Sequence, residues 1–134
     1  MKEVKIAPLI AVIDDDDAFV DLMRELLTDE GYRVVVGTAA NEAAVMIARE
    51  RPDLAILDLR MREALSGIDI LRTLRDGPST ATIPVLVCSA DLIFLREHAE
   101  NLHALRCDVL PKPFDLDALL AKIRAMLDGA PAGT

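Results

Sequence analysis

Leu9-Ile10-Ala11-Val12-Ile13-Asp14-Asp15-Asp16-Asp17 passes from five apolar residues straight into four carboxylates. The apolar run is too short for a helix and ends in charge, so it reads as a strand. It is apolar on both faces, which suits a sheet covered on both sides. Just beyond it, Phe19, Leu22, Met23, Leu26 and Leu27 recur at the spacing of one helical face. A buried strand feeding a helix is half of a βαβ unit, and the same alternation repeats along the chain.

Further strand-like runs lie at Arg33–Val36, Leu54–Leu57, Pro84–Cys88 and Asp108–Leu110. Helical stripes fall between them: Ala43, Ala44, Ile47 and Ala48; Ile68, Leu71 and Leu74; Leu92, Leu95, Ala99 and Leu102. A last stripe joins Leu116, Leu119, Leu120, Ile123, Met126 and Leu127. Gly31 suits a left-handed cap after the first helix, and Pro52 ends the second. Asp76-Gly77-Pro78-Ser79 closes the third, and Asp115 is placed to cap the last. The expected fold is α/β, with five strands and five helices alternating. That gives a flavodoxin-like (βα)5 three-layer sandwich whose parallel sheet has strand order 2-1-3-4-5.

Composition limits the function classes. The 134 residues carry a net charge of −8, with 52% hydrophobic and 28% charged residues, which suits one folded domain. An acidic balance disfavours direct nucleic-acid partners and anionic membrane surfaces. No apolar run approaches the roughly 18 residues of a membrane span, and the N-terminus lacks a signal-peptide pattern. Cys88 and Cys107 stand in no metal-like or redox spacing, which suits reduced thiols of a cytoplasmic protein. With Phe19, Tyr32, Phe94 and Phe114 as the only aromatic residues, a base-stacking platform is not expected.

In such a sheet, chemistry sits beyond the carboxyl ends of the strands. Asp14 and Asp15 follow the first strand, Asp58 the third, Ser89 the fourth and Lys112 the fifth. Asp16 and Asp17 read as the cap and first turn of the helix. Two carboxylates about 5 Å apart repel by roughly 3 kcal/mol at an effective dielectric of 20. A hard divalent cation removes that repulsion, and Mg²⁺ typically takes one or two carboxylates with waters and a phosphate oxygen. Three carboxylates, a hydroxyl and an ammonium suit phosphoryl transfer to a carboxylate. Asp58 would be the nucleophile, with Lys112 and Ser89 on the equatorial oxygens.

Four segments then carry a resemblance: Ile10-Ala11-Val12-Ile13-Asp14-Asp15-Asp16, Pro52 to Leu59, Ile83 to Ala90, and Leu110-Pro111-Lys112-Pro113-Phe114. In this order and spacing the chain resembles the receiver domain of two-component response regulators, of the stand-alone type. The domain would span residues 1–128, with 129–134 a flexible tail or linker stub. The resemblance implies that Asp58 accepts a phosphoryl group from a sensor histidine kinase or a histidine phosphotransfer protein. It implies a Mg²⁺ site made by Asp14, Asp15, Asp58 and the backbone carbonyl of Arg60. Ser89 would be the switch hydroxyl, and Lys112 would pair with the phosphoryl group or with the carboxylate itself. A cis Lys112–Pro113 bond is implied as well.

The same resemblance implies a phosphoacceptor switch, not an enzyme acting on other substrates, with phosphorylation and dephosphorylation of Asp58 catalysed by its own site. A downstream protein would dock on the face of the fourth helix, fifth strand and fifth helix, and a homodimer is left open. Leu92-Ile93-Phe94-Leu95 is more apolar than one buried stripe needs, so Ile93 and Phe94 are either core residues or part of that face. Several positions depart from the family pattern. Arg62 replaces a proline, the Asp58–Gly67 loop is one residue longer, Leu105 replaces a frequent glycine, and Val109 replaces a switching aromatic. These motivate the alternative of a receiver-like interaction module that works without phosphorylation. An aspartate-nucleophile phosphatase fits poorly, because Arg60 stands where its second acid is needed. A flavin protein fits poorly for want of a phosphate loop after the first strand.

Overall fold

A computed structural model describes residues 6–58 and 67–129. Five strands, β1 (Leu9–Ile13), β2 (Arg33–Gly37), β3 (Leu54–Asp58), β4 (Val85–Ser89) and β5 (Asp108–Pro111), form one parallel sheet of order β2-β1-β3-β4-β5. The helices are α1 (Asp17–Asp29), α2 (Ala40–Glu50), α3 (Gly67–Asp76), α4 (Leu92–Glu97), α5 (Ala99–Ala104) and α6 (Leu116–Leu127). The expected flavodoxin-like order is therefore present.

Alternation along the strands divides the interior into two cores. Ala11, Ile13, Ala55, Leu57, Val85 and Val87 pack with α2, α3, α4 and α5. Ile10, Val12, Leu54, Ile56, Leu86 and Cys88 pack on the other face with α1 and α6. Both faces of the central strands are thus buried, which is why their sequences read as unbroken apolar runs.

Local chemistry sets the helix ends. The Asp16 side chain accepts the N–H groups of Ala18 and Phe19, and Asp115 accepts that of Ala118. Gly31, at φ +94, takes the left-handed position after α1. Gly77 ends α3 at a close approach, where an added Cβ would stand 2.5 Å from Thr80 Oγ1. That hydroxyl is fixed by donating to the Leu74 carbonyl.

One expectation needs correction. The stripe from Leu92 to Leu102 is not one helix but two, α4 and α5, broken at His98 (φ −107, ψ 13). The His98 ring stacks on Phe94, and its Nδ1 lies 2.9 Å from the Phe94 carbonyl that also accepts the His98 N–H. That crowding around one carbonyl turns the chain out of helical geometry. Ile93 is 68% exposed and is not a core residue, whereas Phe94 is half-buried against the core. At the end of α5, Arg106 adopts φ +57, so the left-handed turn is made beside Leu105 and without glycine.

At the opposite edge of the sheet, Arg75 ties three segments together. Its guanidinium donates to the carbonyls of Leu105 (2.7 Å), Ile83 (2.8 Å), Ala81 (3.1 Å) and Arg106 (3.2 Å). Burial, with the Arg106 charge beside it, lowers its pKa. Replacing Arg75 by Met leaves these carbonyls without a donor that several of them cannot recover from water. Arg75→Met is expected to destabilise the fold by about 2–3 kcal/mol in urea unfolding, with Arg75→Lys intermediate because an ammonium cannot span the fork.

Both cysteines are free and buried. Burial pushes the Cys88 thiol up to about 12; Lys112 opposes the rise, while Asp58 and Asp14 add to it. Burial pushes Cys107 up to about 11, with Arg75 opposing and Asp108 adding. Because the ordinary thiol value is 9.0, the folded state holds these protons more tightly than the unfolded chain does. Their contribution to stability is complete below pH 9 and is lost as the pH climbs from there through the folded values. Neither thiol should react with a disulfide reagent at pH 8 until the chain is unfolded, when both should react promptly.

Candidate functional site

The carboxyl edge gathers its polar groups because each central strand runs out of apolar residues there. Asp14, one residue past β1, is only 2% exposed. Both of its oxygens are engaged: Oδ1 accepts the Asp16 N–H at 3.0 Å and Oδ2 accepts from Lys112 Nζ at 2.7 Å. The Asp14 N–H donates to the Gly37 carbonyl, which fixes the turn against β2. Asp58 closes β3 and, like Asp15, is half-buried. One carboxylate oxygen from each of Asp14, Asp15 and Asp58 lies within 4.8 Å of the others, a group that can hold a metal ion.

Lys112 reaches this cluster from the loop after β5. Its Nζ stands 3.8 Å from Asp58 Oδ2, farther than from Asp14. The Lys112 N–H donates to the Ser89 carbonyl at 2.8 Å, so the loop is tied to the end of β4, and the Lys112–Pro113 bond is cis. Ser89 ends β4, with Cys88 paired in register to Asp58. It is 1% exposed, and its Oγ accepts the Asp91 N–H at 3.2 Å. Asp91 in turn caps α4 by accepting the Phe94 N–H.

The structure thus draws together Asp14, Asp15, Asp58 and Lys112, and places Ser89 on the strand next to Asp58. Arg60, Arg62 and the rest of the lengthened loop lie outside the described residues, as does the tail beyond residue 129. Val109 is half-buried against the core beside α4 and α5. Sequence reading missed Phe19 as a neighbour of the site. Its spacing makes it one residue of the α1 stripe, yet its ring lies under the Lys112 ammonium. Its place in the first turn of α1, just past the acidic run, is the signal that points there.

A divalent cation fits this donor set. Mg²⁺ takes oxygens at about 2.0–2.1 Å, so oxygens that share it stand at most about 4.2 Å apart. The three carboxylate oxygens, within 4.8 Å of one another, would draw closer about the ion, since adjacent oxygens on an octahedral Mg²⁺ stand about 3 Å apart. Among the described residues, no helix is long and apolar enough to cross a membrane.

Comparison with known proteins agrees with this arrangement. The family model for the response regulator receiver domain matches residues 10–124. Response regulator MprA of Mycobacterium leprae is 40% identical over 119 residues, which cover 88% of this chain and 50% of that protein. The chain therefore spans about half the length of the curated relatives it matches. A response regulator receiver protein from Pseudomonas putida is 32% identical with a TM-score of 0.81, covering 90% of this chain and 98% of that one. Chemotaxis protein CheY4 of Vibrio cholerae shares the fold, at 22% identity and a TM-score of 0.80 over 89% of this chain and 98% of that one. With its sheet order, its acidic edge and its matching segments in agreement, the chain belongs to the response regulator receiver domain family.

Proposed function

We propose that this domain is a phosphoacceptor switch in two-component signalling, with Asp58 the residue modified. The observation that carries the reading is the convergence of Asp14, Asp15 and Asp58 with the Lys112 ammonium at one strand edge. An Asp58 carboxylate oxygen forms a bond to phosphorus while the donor's nitrogen–phosphorus bond breaks. The electron pair returns to the imidazole of a kinase or phosphotransfer protein. At neutral pH an ordinary aspartate needs no prior deprotonation for this attack. Asp14, Asp15 and Asp58, with the Arg60 carbonyl, would hold Mg²⁺, which lets one anion approach another.

Lys112 supplies positive charge beside the equatorial oxygens, where transition-state charge collects. Ser89 supplies a hydroxyl that leaves the Asp91 N–H when it turns to a phosphoryl oxygen. That exchange loosens the start of α4 and favours one of two arrangements of the face it carries. Leu92 and Ile93 stand exposed on α4. Beside them a groove of about 540 Å³ is lined by Leu95, Leu102, Val109 and Lys122 among others, which suits a downstream protein. The net charge of −8 argues for protein partners over nucleic acid or an anionic membrane surface.

Incubation with acetyl phosphate and Mg²⁺ is expected to add the mass of one phosphoryl group, and Asp58→Asn should abolish the adduct. Lys112→Ala should slow labelling by about a hundredfold, the scale for losing one transition-state donor. No adduct with any donor would leave the domain as an interaction module that works unmodified.

Metal binding is checked separately by thermal unfolding. Mg²⁺ at ten times its dissociation constant should stabilise the wild type by about 1.4 kcal/mol. Asp14→Asn and Asp58→Asn should lose that shift at the same concentration. An equal shift in all three proteins would place the cation elsewhere.

A further inference from the structure

The Lys112 ammonium is held by more than carboxylates. Its Nζ lies 4.0 Å from the centroid of the Phe19 ring, within the range where a ring's quadrupole attracts a cation. Phe19 sits in the first turn of α1, where its own N–H is fixed by the Asp16 cap. The ring has an aromatic neighbour as well. Phe114, two residues past Lys112, meets it at 80° with centroids 6.4 Å apart. Ring and ammonium are therefore anchored by α1 and by the β5–α6 loop together.

A lysine carries a compact charge on a flexible stem, so its place is set by what surrounds the ammonium. Two carboxylates compete for it here, those of Asp14 and Asp58. Closing fully on Asp58 would cover an oxygen that must attack phosphorus. The observed position avoids this, at 2.7 Å from Asp14 and 3.8 Å from Asp58, with the ring as the third contact. We propose that Phe19 is a positioning residue whose face holds the Lys112 ammonium beside Asp58 without letting it close, ready for the oxygens of an incoming phosphoryl group. This rests on the phosphoacceptor reading, and the test separates the two.

Phe19 is replaced by 4-fluoro-, 3,5-difluoro- and 3,4,5-trifluorophenylalanine. Fluorine withdraws density from the ring face in steps while nearly keeping its shape, so packing alone predicts no trend. In the unmodified, metal-free protein, the Lys112 Hε protons should resonate upfield of ordinary lysine and move back toward it along the series. The rate of Asp58 labelling by acetyl phosphate should fall in the same order, by about two- to fivefold overall, at constant melting temperature. A flat rate series in a protein that labels normally overturns the inference and leaves the phosphoacceptor reading standing. Ordinary Hε shifts in the wild type also overturn it, because the contact is then not formed. A wild type that takes no phosphoryl group overturns both the reading and the role given to Phe19, and the Hε shifts then report only a structural contact.

Discussion

The bond between the Lys112 ammonium and the Asp14 carboxylate is the contact on which the site's geometry depends. It joins the ends of β5 and β1, which β3 and β4 separate in the sheet. The chain after β5 therefore leans back across the edge, and the Lys112 N–H on the Ser89 carbonyl fixes that course. Without a cation, carboxylates this close repel by several kcal/mol even at a generous effective dielectric. The ammonium offsets part of that and leaves the remainder as an attraction for a second cation.

The two cores explain where each of these groups points. In β3, Asp58 continues the alternation of Leu54 and Ile56, which face α1 and α6. In β5, Lys112 follows Leu110 by the same step of two, and Leu110 packs against that same core. Asp14 follows Ile10 and Val12 in the same way. The three charged groups thus emerge on one face, over the first turn of α1, where Phe19 stands. Ser89 follows Val85 and Val87, which face the other core and its short helices α4 and α5. Strand periodicity alone divides the edge into a charged half and a half that touches the outward surface.

Most of this was legible in the sequence, for identifiable reasons. The strands could be read because both faces of a central parallel strand are buried, so Leu54–Leu57 and Pro84–Cys88 carry no polar residue to blur them. The site could be read because its residues come immediately after such runs, where nothing apolar competes for attention. What escaped depends on contacts between distant segments. Arg75 looks like the basic end of an exposed helix, yet it reaches carbonyls 6 to 31 residues away in sequence. The break at His98 escaped because periodicity runs through it, and only the ring on the Phe94 carbonyl reveals it. Phe19 escaped because an aromatic residue in an apolar stripe is counted as core, and half of it is.

The break bears on how a change at Ser89 would reach the surface. A helix of six residues has no stability of its own, because nucleation costs more than so few bonds return. Besides Leu95 and Phe94 packing on the core, α4 is held at its start by a cap, with Asp91 bound through its side chain to Phe94 and through its N–H to Ser89. Under the proposed reading, moving the Ser89 hydroxyl takes away one contact at the start of an element that cannot stand alone. An aromatic residue swinging at position 109 is then unnecessary. Val109 needs only to remain a packed, β-branched wall against which Leu95 and Leu102 settle in either arrangement. A long continuous helix would resist such a local change; two short ones, hinged at His98, yield to it.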